Sequence, residues 1–489
     1  MRWFWPLLAL PLVADAAGCT AHRTPTQEAA RPIEIVVPVD AETLDPRYVV
    51  DAVGLRVTRM IHAGLVRLDP RTLEPVPYLA RGWTWTSPTT LHVELKPGLR
   101  FHSGAPFEAR DVVATLRALG DPKVASREAR IVDAIADVRA EGPNDVIITL
   151  KRPHATLLTD LEMPILRSDQ AFSAPSQHGE LDGLGPYEVK HIERGAIELA
   201  PRDGIFAPKH ALVVRTVHDE NARALRLLAG SSDIDLNVIS PTLLPSFEGQ
   251  HGLSIVAVPS ANLTYAILRG DQGPFADLAA RKAFSATIDR EIITSTLLAG
   301  RAKPATCLLP PTLWAHTDFP PLPHAPSPPP TRAPVTLLTS TDRLRVTIAR
   351  FAAQELNDAG WNVEVVPLEL GALIARLNAG DFDAAFLQIP ELTEPNALRV
   401  FMHSASIPPG GANRARIHDA TIDALFDEGD AETDLATRRA TYAKLEALNR
   451  EHMYLVPLWH EEQVAVRSAR ARAFVPSAEG RWLGVVALP

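Results

Sequence analysis

The sequence holds few residues in a spacing that could catalyse a reaction. It contains neither the G-x-S-x-G elbow of serine hydrolases nor the G-x-x-x-x-G-K loop that cradles nucleotide phosphates. The run His460-Glu461-Glu462 lacks the second histidine of a zinc-protease helix, and on a strand His460 and Glu461 would face opposite sides. The 16 histidines are otherwise scattered. We therefore expect no catalytic residues, no metal site and no cofactor. A hydrolase would need a nucleophile and a base in a spacing that the sequence does not show.

The elements that could position a binding site are clearest in the C-terminal half of the chain. The hydrophobic pattern predicts strands at 335–339, 362–366 and 384–389, separated by helices at 344–359 and 372–379. Strands and helices that alternate at this spacing form a parallel sheet with right-handed crossovers. The fold class predicted from this pattern is α/β.

The residues just beyond these strands are the best candidates for ligand contacts. Ser340, Thr341 and Asp342 follow the first predicted strand, and residues 390–394, which include Glu391, follow the third. In open α/β sheets ligands bind in the crevice outside the carboxyl ends of the strands. We therefore expect a ligand crevice there.

The charge balance argues against a nucleic-acid partner. The net charge is -9, and the sequence shows no clustered basic face of the kind that phosphate contacts need. We expect no contact with DNA or RNA.

The N-terminus has the layout of a secretory signal. Arg2 precedes an apolar run at 3–13, and small residues lead to Cys19. The segment Ala16-Ala17-Gly18-Cys19 resembles a bacterial lipobox, which predicts that Cys19 is acylated and that residues 20–32 form a tether. Ordinary cleavage after Ala16 is the alternative. The apolar run is too short for a permanent transmembrane helix, and no later stretch is long enough either.

The remaining organisation points to more than one domain. A chain of 489 residues is too long for a single ordinary core. The β-branched run at 33–37 predicts a buried strand, and the alternation at 91–95 predicts another. A boundary is predicted near residue 259. Residues 304–334 are crowded with proline, which predicts an extended surface connector.

A series of short motifs resembles the family 5 extracellular solute-binding proteins, the peptide and nickel binders of bacterial ABC importers. The order and spacing of the motifs hold over nearly the whole chain after residue 33. They are Thr43-Leu44-Asp45-Pro46, Gly64-Leu65-Val66-Arg67-Leu68-Asp69, Pro77-Tyr78-Leu79-Ala80, Leu95-Lys96-Pro97-Gly98-Leu99-Arg100-Phe101-His102-Ser103-Gly104, Gly185-Pro186-Tyr187 and Ile288-Asp289-Arg290-Glu291.

The resemblance implies a fold like that of type II periplasmic binding proteins, with two lobes plus an inserted subdomain that close on ligand by hinge motion. Placed on this sequence, the first lobe would comprise 33–48, 183–258 and 458–489. The inserted subdomain would be 49–182, and the second lobe 259–457.

The resemblance also implies a function. We expect the substrate-binding component of an ABC importer, which captures a peptide or peptide-like small solute between its lobes and delivers it to the permease subunits. The protein would be a monomer in the periplasm or cell envelope, attached to the membrane only through a lipid on Cys19. The alternatives are a lipoprotein that acts as a sensor or peptide chaperone, and a metal-chelate binding protein.

Comparison with the family adds candidate site residues. Peptide-binding relatives hold the ligand's amino group with an Asp in a segment like W-x-x-D-Y-x-D-P, and Glu391 stands at the place of that Asp. Arg269 replaces a neutral Asn of the family and could pair with a ligand carboxylate. Tyr265, Asn413 and Trp459 are further candidates.

Overall fold

The computed structural model describes residues 31–176 and 179–489, so the predicted signal peptide, most of the tether and Cys19 lie outside the described residues. We number the strands in chain order: β1 Ile33–Val37, β2 Val66–Leu68, β3 Pro75–Pro77, β4 Ala80–Ser87, β5 Thr90–Leu95, β6 Ile135–Ala140, β7 Asp145–Leu150, β8 Tyr187–Glu193, β9 Ala196–Pro201, β10 Leu212–Thr216, β11 Ile234–Leu236, β12 Leu253–Pro259, β13 Leu263–Leu268, β14 Ala302–Pro304, β15 Pro334–Ser340, β16 Asn362–Leu368, β17 Ala384–Ile389 and β18 Leu455–Ser468.

The α-helices are numbered in the same way. They are α1 Ala52–Ile61, α2 Ala109–Leu119, α3 Leu157–Asp160, α4 Glu220–Leu228, α5 Leu278–Thr287, α6 Arg290–Ile292, α7 Arg343–Asp358, α8 Leu370–Ala379, α9 Arg399–Met402, α10 Ala420–Ala431 and α11 Leu435–His452. No helix in the described ranges is both long and apolar enough to cross a membrane.

A twelve-stranded mixed sheet runs through the molecule, and β18 joins its two halves. The N-terminal part of β18 pairs with β13, and its C-terminal part pairs with β11 and β12. We call β1 and β8 to β12 the first sheet half, and β13 to β17 the second sheet half. Each half contains parallel neighbours, such as β1 with β10 and β15 with β16. Their carboxyl ends define two edges that can face a common ligand.

The α/β unit predicted between 335 and 389 is confirmed. It comprises β15, α7, β16, α8 and β17. Local signals explain its regularity: the Asp342 side chain accepts a hydrogen bond from the Arg345 backbone N–H at 2.9 Å, which caps α7. Gly380 ends α8 with φ of 75°, a left-handed conformation that glycine adopts without strain.

A separate four-stranded antiparallel sheet, in the order β4-β5-β7-β6, lies between β1 and β8 in the chain. The alternation predicted at 91–95 is confirmed in β5, whose Leu91, Val93 and Leu95 are buried. These side chains pack on α2 in a core of their own. Helix α1 instead contributes Val53 and Val57 to the core of the first sheet half.

The prediction of a surface connector at 304–334 is wrong for its first part. Cys307, Leu308 and Leu309 are fully buried. Glu446 of α11 accepts hydrogen bonds from the backbone N–H groups of Leu308 and Leu309, at 3.0 and 2.7 Å. Proline makes a segment extended, but the apolar side chains between the prolines gain more from burial than from exposure. The segment is therefore part of a core.

Candidate functional site

A cavity of about 700 Å³ lies at the middle of the twelve-stranded sheet. We call it the cleft cavity. Its volume is typical of small-molecule sites. The carboxyl ends of parallel strands from both halves reach it, because Pro38 follows β1, Asn237 follows β11 and Asp342 follows β15. The rest of the wall comes from β18 and from segments that adjoin each of the two sheet halves. Its residues include Val50, Arg56, Glu220, Arg301, Leu344, Arg345, Gln388, Pro390, Glu391, Glu461 and Arg481.

A smaller cavity of about 330 Å³ opens within the second sheet half, and we call it the side cavity. Tyr265, Ser340 and Trp459 line it. It shares Arg345, Gln388 and Pro390 with the cleft cavity, so the two are neighbours. Burial raises the pKa of Tyr265, which keeps its phenol neutral.

The structure thus brings five of the seven candidate ligand residues to two adjoining cavities. Asp342 and Glu391 line the cleft cavity, and Ser340, Tyr265 and Trp459 line the side cavity. The Asp342 carboxylate is already used as the cap of α7. Among these five residues, Glu391 is therefore the one charged residue whose side chain does not cap a helix.

Arg269 and Asn413 line none of the cavities described. The Arg269 Nε donates to Asp271 Oδ1 at 3.0 Å, so its charge is neutralised locally. Asn413 has no exposed surface, and its Nδ2 donates to the backbone oxygens of Met402, His403 and Ile417. Its Oδ1 accepts from the Ile417 N–H at 3.0 Å. Asn413 therefore holds a turn of the chain together.

A network of polar side chains lies between the two cavities, and its contacts were not predicted from the sequence. The Arg345 Nη1 lies 2.8 Å from the Glu461 Oε1, and the Trp459 Nε1 donates to the same oxygen at 3.2 Å. Thr264 and Gln388 continue the network through a 3.3 Å hydrogen bond. Successive side chains on a strand point to opposite faces, so Glu461 of β18 faces this network whereas its neighbour His460 does not.

His460 confirms that alternation, because it is buried away from the network. Its Nδ1 lies 2.7 Å from the Asn262 backbone oxygen. Burial lowers the pKa of His460 to about 4, so the imidazole is neutral near pH 7. His460 and Glu461 do not form a metal pair.

A cluster of charges at one end of the cleft cavity joins distant parts of the chain, and we call it the Arg481 cluster. The Arg481 Nη2 lies 2.6 Å from the Glu391 Oε1, and Arg481 also pairs with Glu162 and, at 3.5 Å, with Glu479. Arg59 of α1 reaches the other oxygen of Glu162 at 3.1 Å. Burial, with the nearby Glu391 charge, raises the pKa of Glu479 to about 7.

One group in the described ranges has the geometry to hold a metal. Ligand atoms of Asp289, His324 and Glu355 lie within 4.8 Å of one another. Asp289 caps α6 through the Ile292 N–H, and Glu355 accepts from the Asp289 N–H at 3.2 Å. Both carboxylates therefore have structural partners, and the group lies away from the cavities.

Comparison with known proteins agrees with this architecture. The family described as bacterial extracellular solute-binding proteins, family 5 Middle, matches residues 74–397. "Probable di/tripeptide-binding protein 5" of Pseudomonas aeruginosa (strain UCBPP-PA14) is 26% identical over 464 residues, covering 85% of this chain and 88% of that protein. The glutathione-binding protein GsiB of Escherichia coli (strain K12) is 24% identical, covering 91% and 92%.

A solved structure shows the same fold. The ABC transporter substrate-binding protein CtaP from Listeria monocytogenes superposes with a TM-score of 0.83 at 21% identity, covering 93% of this chain and 98% of that one. The predictions of an α/β fold of this type and of a substrate-binding component of an ABC importer, not an enzyme, are confirmed, and so is a location outside the cytoplasm. The chain belongs to family 5 of the bacterial extracellular solute-binding proteins.

Proposed function

We propose that the chain captures a peptide-like solute in the cleft cavity and delivers it, chemically unchanged, to the permease of an ABC importer. The observation that carries this proposal is a cavity of about 700 Å³ whose walls come from both sheet halves and which has Glu391 and Arg345 at separate points. Small ligands bind where a mainly enclosed site offers a few fixed polar groups. The relatives named for di/tripeptide and glutathione binding support a solute of this class.

Glu391 would bind the positively charged amino group of the solute. It lies two residues after β17, at the carboxyl edge of the sheet, and its side chain keeps 37% of its surface accessible. In the present structure Arg481 occupies this carboxylate. An ammonium group would therefore share Glu391 with Arg481 or displace it, which makes the affinity depend on both residues.

The side cavity would receive one side chain of the solute. Tyr265 and Trp459 give it aromatic walls, and Ser340 offers a hydroxyl. Leu370 stands at this cavity with 58% of its surface exposed, where an apolar ligand group would cover it. Covering an exposed leucine is favourable in proportion to the apolar area removed from water.

Binding would close the two lobes around the solute. The lobes would be 33–48 with 183–258 and 458–489, and 259–457, with 49–182 as the inserted subdomain. β18 and the short link between β12 and β13 connect the sheet halves, so they are the natural hinge. The protein would act as a monomer that is anchored to the membrane by a lipid on Cys19.

Native mass spectrometry with a peptide mixture tests the proposal. The protein would be unfolded and refolded to remove any co-purified ligand, then mixed with dipeptides, tripeptides and glutathione. We expect adducts of one intact peptide per chain. The absence of any adduct, or recovery of cleaved peptides only, would contradict the proposal.

A further inference from the structure

A second large cavity, of about 710 Å³, adjoins the cleft cavity at the Arg481 cluster. We call it the apolar cavity. It shares Arg56, Arg59, Glu479 and Arg481 with the cleft cavity, but its other walls come from α1, from β2 and its flanking segments, from the C-terminal segment, and from several shorter stretches of the chain. Most of these walls are hydrophobic, and they include Met60, Val66, Leu68, Phe206, Val475 and Leu483.

Buried polar atoms without partners line this cavity. Both ring nitrogens of His62, the Nε1 of Trp482 and the Oε2 of Glu479 are buried and have no hydrogen-bond partner among the described residues. His62 and Trp482 are each only 1% exposed. Leaving a buried polar group unpaired costs roughly 1–3 kcal/mol, and native proteins rarely accept that cost without a reason. These three residues are therefore placed to bind something that enters the cavity.

The protonation of His62 narrows what that ligand can be. Burial lowers the pKa of His62 to about 4, so its ring is neutral near pH 7 and offers one donor and one acceptor. The indole of Trp482 can only donate. The unpaired groups of this cavity thus include two nitrogen donors suited to an oxygen acceptor on the ligand.

The charges of the cavity favour an acid over an amine. Arg56 and Arg67 line it, and neither makes an ion pair with a carboxylate within the described ranges. The Arg56 guanidinium lies over the ring of Trp482, 5.8 Å from the ring centre. The acidic residues in the wall are Glu479 and Glu162, and Glu162 forms ion pairs with Arg59 and Arg481. The cavity therefore carries an excess of positive charge.

We propose that the apolar cavity is a second binding compartment for an apolar carboxylic acid, whose hydrocarbon part contacts the hydrophobic walls and whose carboxylate faces Arg56 and Trp482. The site is distinct from the cleft cavity, and it binds its ligand whether or not a peptide is present. A hydrogen bond from an arginine to a carboxylate is charge-assisted and therefore strong, and the unpaired indole N–H is a further donor in the wall of the same cavity.

Calorimetry with three ligands of one chain length tests the compartment. Decanoate, 1-decanol and decylamine share the same hydrocarbon and differ only in the head group, and each is used below the concentration at which it forms micelles. We expect decanoate to bind one to one and at least tenfold more tightly than decanol, with decylamine weakest. Equal affinities for the three, or no binding of decanoate, would overturn the proposal.

Three variants locate the site. Arg56→Gln should remove the preference for decanoate over decanol, and Arg67→Gln should reduce it less. Val475→Trp should weaken decanoate binding at least tenfold, because Val475 stands at the cavity with half of its surface exposed. Val39→Trp is the matched control, since Val39 is also 50% exposed and lines none of the cavities described.

The outcomes separate this proposal from the proposed function. Val475→Trp should keep wild-type affinity for peptides, because Val475 does not line the cleft cavity. If Val475→Trp, with a wild-type melting temperature, binds decanoate as tightly as Val39→Trp, the apolar cavity is not the site. Failure of peptide binding by the wild type would contradict the proposed function alone.

Discussion

Arg481 and Glu391 form an ion pair with 2.6 Å between Nη2 and Oε1, although 90 residues separate them in the chain. The pair connects the C-terminal segment with the loop that follows β17. Arg481 lines both the cleft cavity and the apolar cavity, and Glu391 is the carboxylate that we propose binds the amino group of a peptide. The charge at Glu391 is therefore available to a ligand only in competition with Arg481.

The substitution Glu391→Gln should weaken peptide binding. A hydrogen bond to a charged partner contributes about 1.5–3 kcal/mol, so we expect the affinity for trialanine to fall about 10-fold to 100-fold. N-acetyl-trialanine, which has no ammonium, should bind both proteins with similar, low affinity. Isothermal calorimetry measures all four combinations. Glu364→Gln, at an exposed glutamate of β16, is the control, and an unchanged affinity of Glu391→Gln for trialanine would reject the role of Glu391.

The side cavity should set a preference for large side chains. Leu370→Ala removes an exposed apolar group from its rim, so we expect peptides with one bulky apolar residue to bind about threefold to tenfold more weakly. Peptides of glycine alone should bind as before. Leu435→Ala, at another exposed leucine that lines no described cavity, is the control for general effects. Equal losses for glycine peptides and bulky peptides would show that the cavity does not select side chains.

Asn413 should contribute to stability and not to affinity. The variant Asn413→Ala removes three donated hydrogen bonds and one accepted bond in a fully buried turn. We expect the free energy of unfolding to fall by about 3 kcal/mol, since several buried backbone groups lose their partner. Urea denaturation measures this loss, with the exposed Asn221→Ala as control. A variant with wild-type stability and impaired peptide binding would contradict this prediction and show that Asn413 contributes to ligand binding.

His154 should make stability depend on pH at the contact between the segment after β7 and helix α10. Burial lowers the pKa of His154, but hydrogen bonds to Asp160 and Asp430 outweigh this effect and raise it to about 9. Its Nδ1 lies 2.6 Å from the Asp430 Oδ1, and Arg152 contacts the same carboxylate. A raised histidine pKa stabilises the folded state below pH 6.5, and this contribution is lost as the pH rises through 9.

Unfolding experiments on His154→Gln measure that contribution. We expect the substitution to destabilise the protein by about 3 kcal/mol more at pH 6 than at pH 10, from 1.4 kcal/mol per pKa unit. The exposed His251→Gln is the matched control. If wild type and His154→Gln differ by the same amount at both pH values, the paired imidazolium does not stabilise this contact.

The sequence predicted the elements whose signals are local. The unit from β15 to β17 was predictable because each helix carries its own cap, such as Asp342 at the start of α7 and Gly380 at the end of α8. The placement of Ser340, Asp342 and Glu391 at cavities followed from topology, since parallel strands end at one edge. Burial of the first part of 304–334 was missed because its prolines are a stronger local signal than Leu308 and Leu309.

The charged partners in the site could not be predicted in this way. Arg481 meets Glu162 and Glu391 only after three distant segments have come together, and no spacing in the sequence records that contact. The same applies to Arg345 and Glu461, which are 116 residues apart and meet between the two cavities. The sequence does not distinguish an arginine or glutamate that forms such an ion pair from one that is exposed to solvent.

The central claim is that the solute is held in the cleft cavity, and one calorimetric comparison tests it most directly. Val50 lines the cleft cavity with 58% of its surface exposed, whereas Val39 has similar exposure and lines no described cavity. For a peptide identified by native mass spectrometry, we predict that Val50→Trp binds at least tenfold more weakly than wild type and that Val39→Trp binds equally well. A Val50→Trp protein with wild-type affinity would contradict the claim.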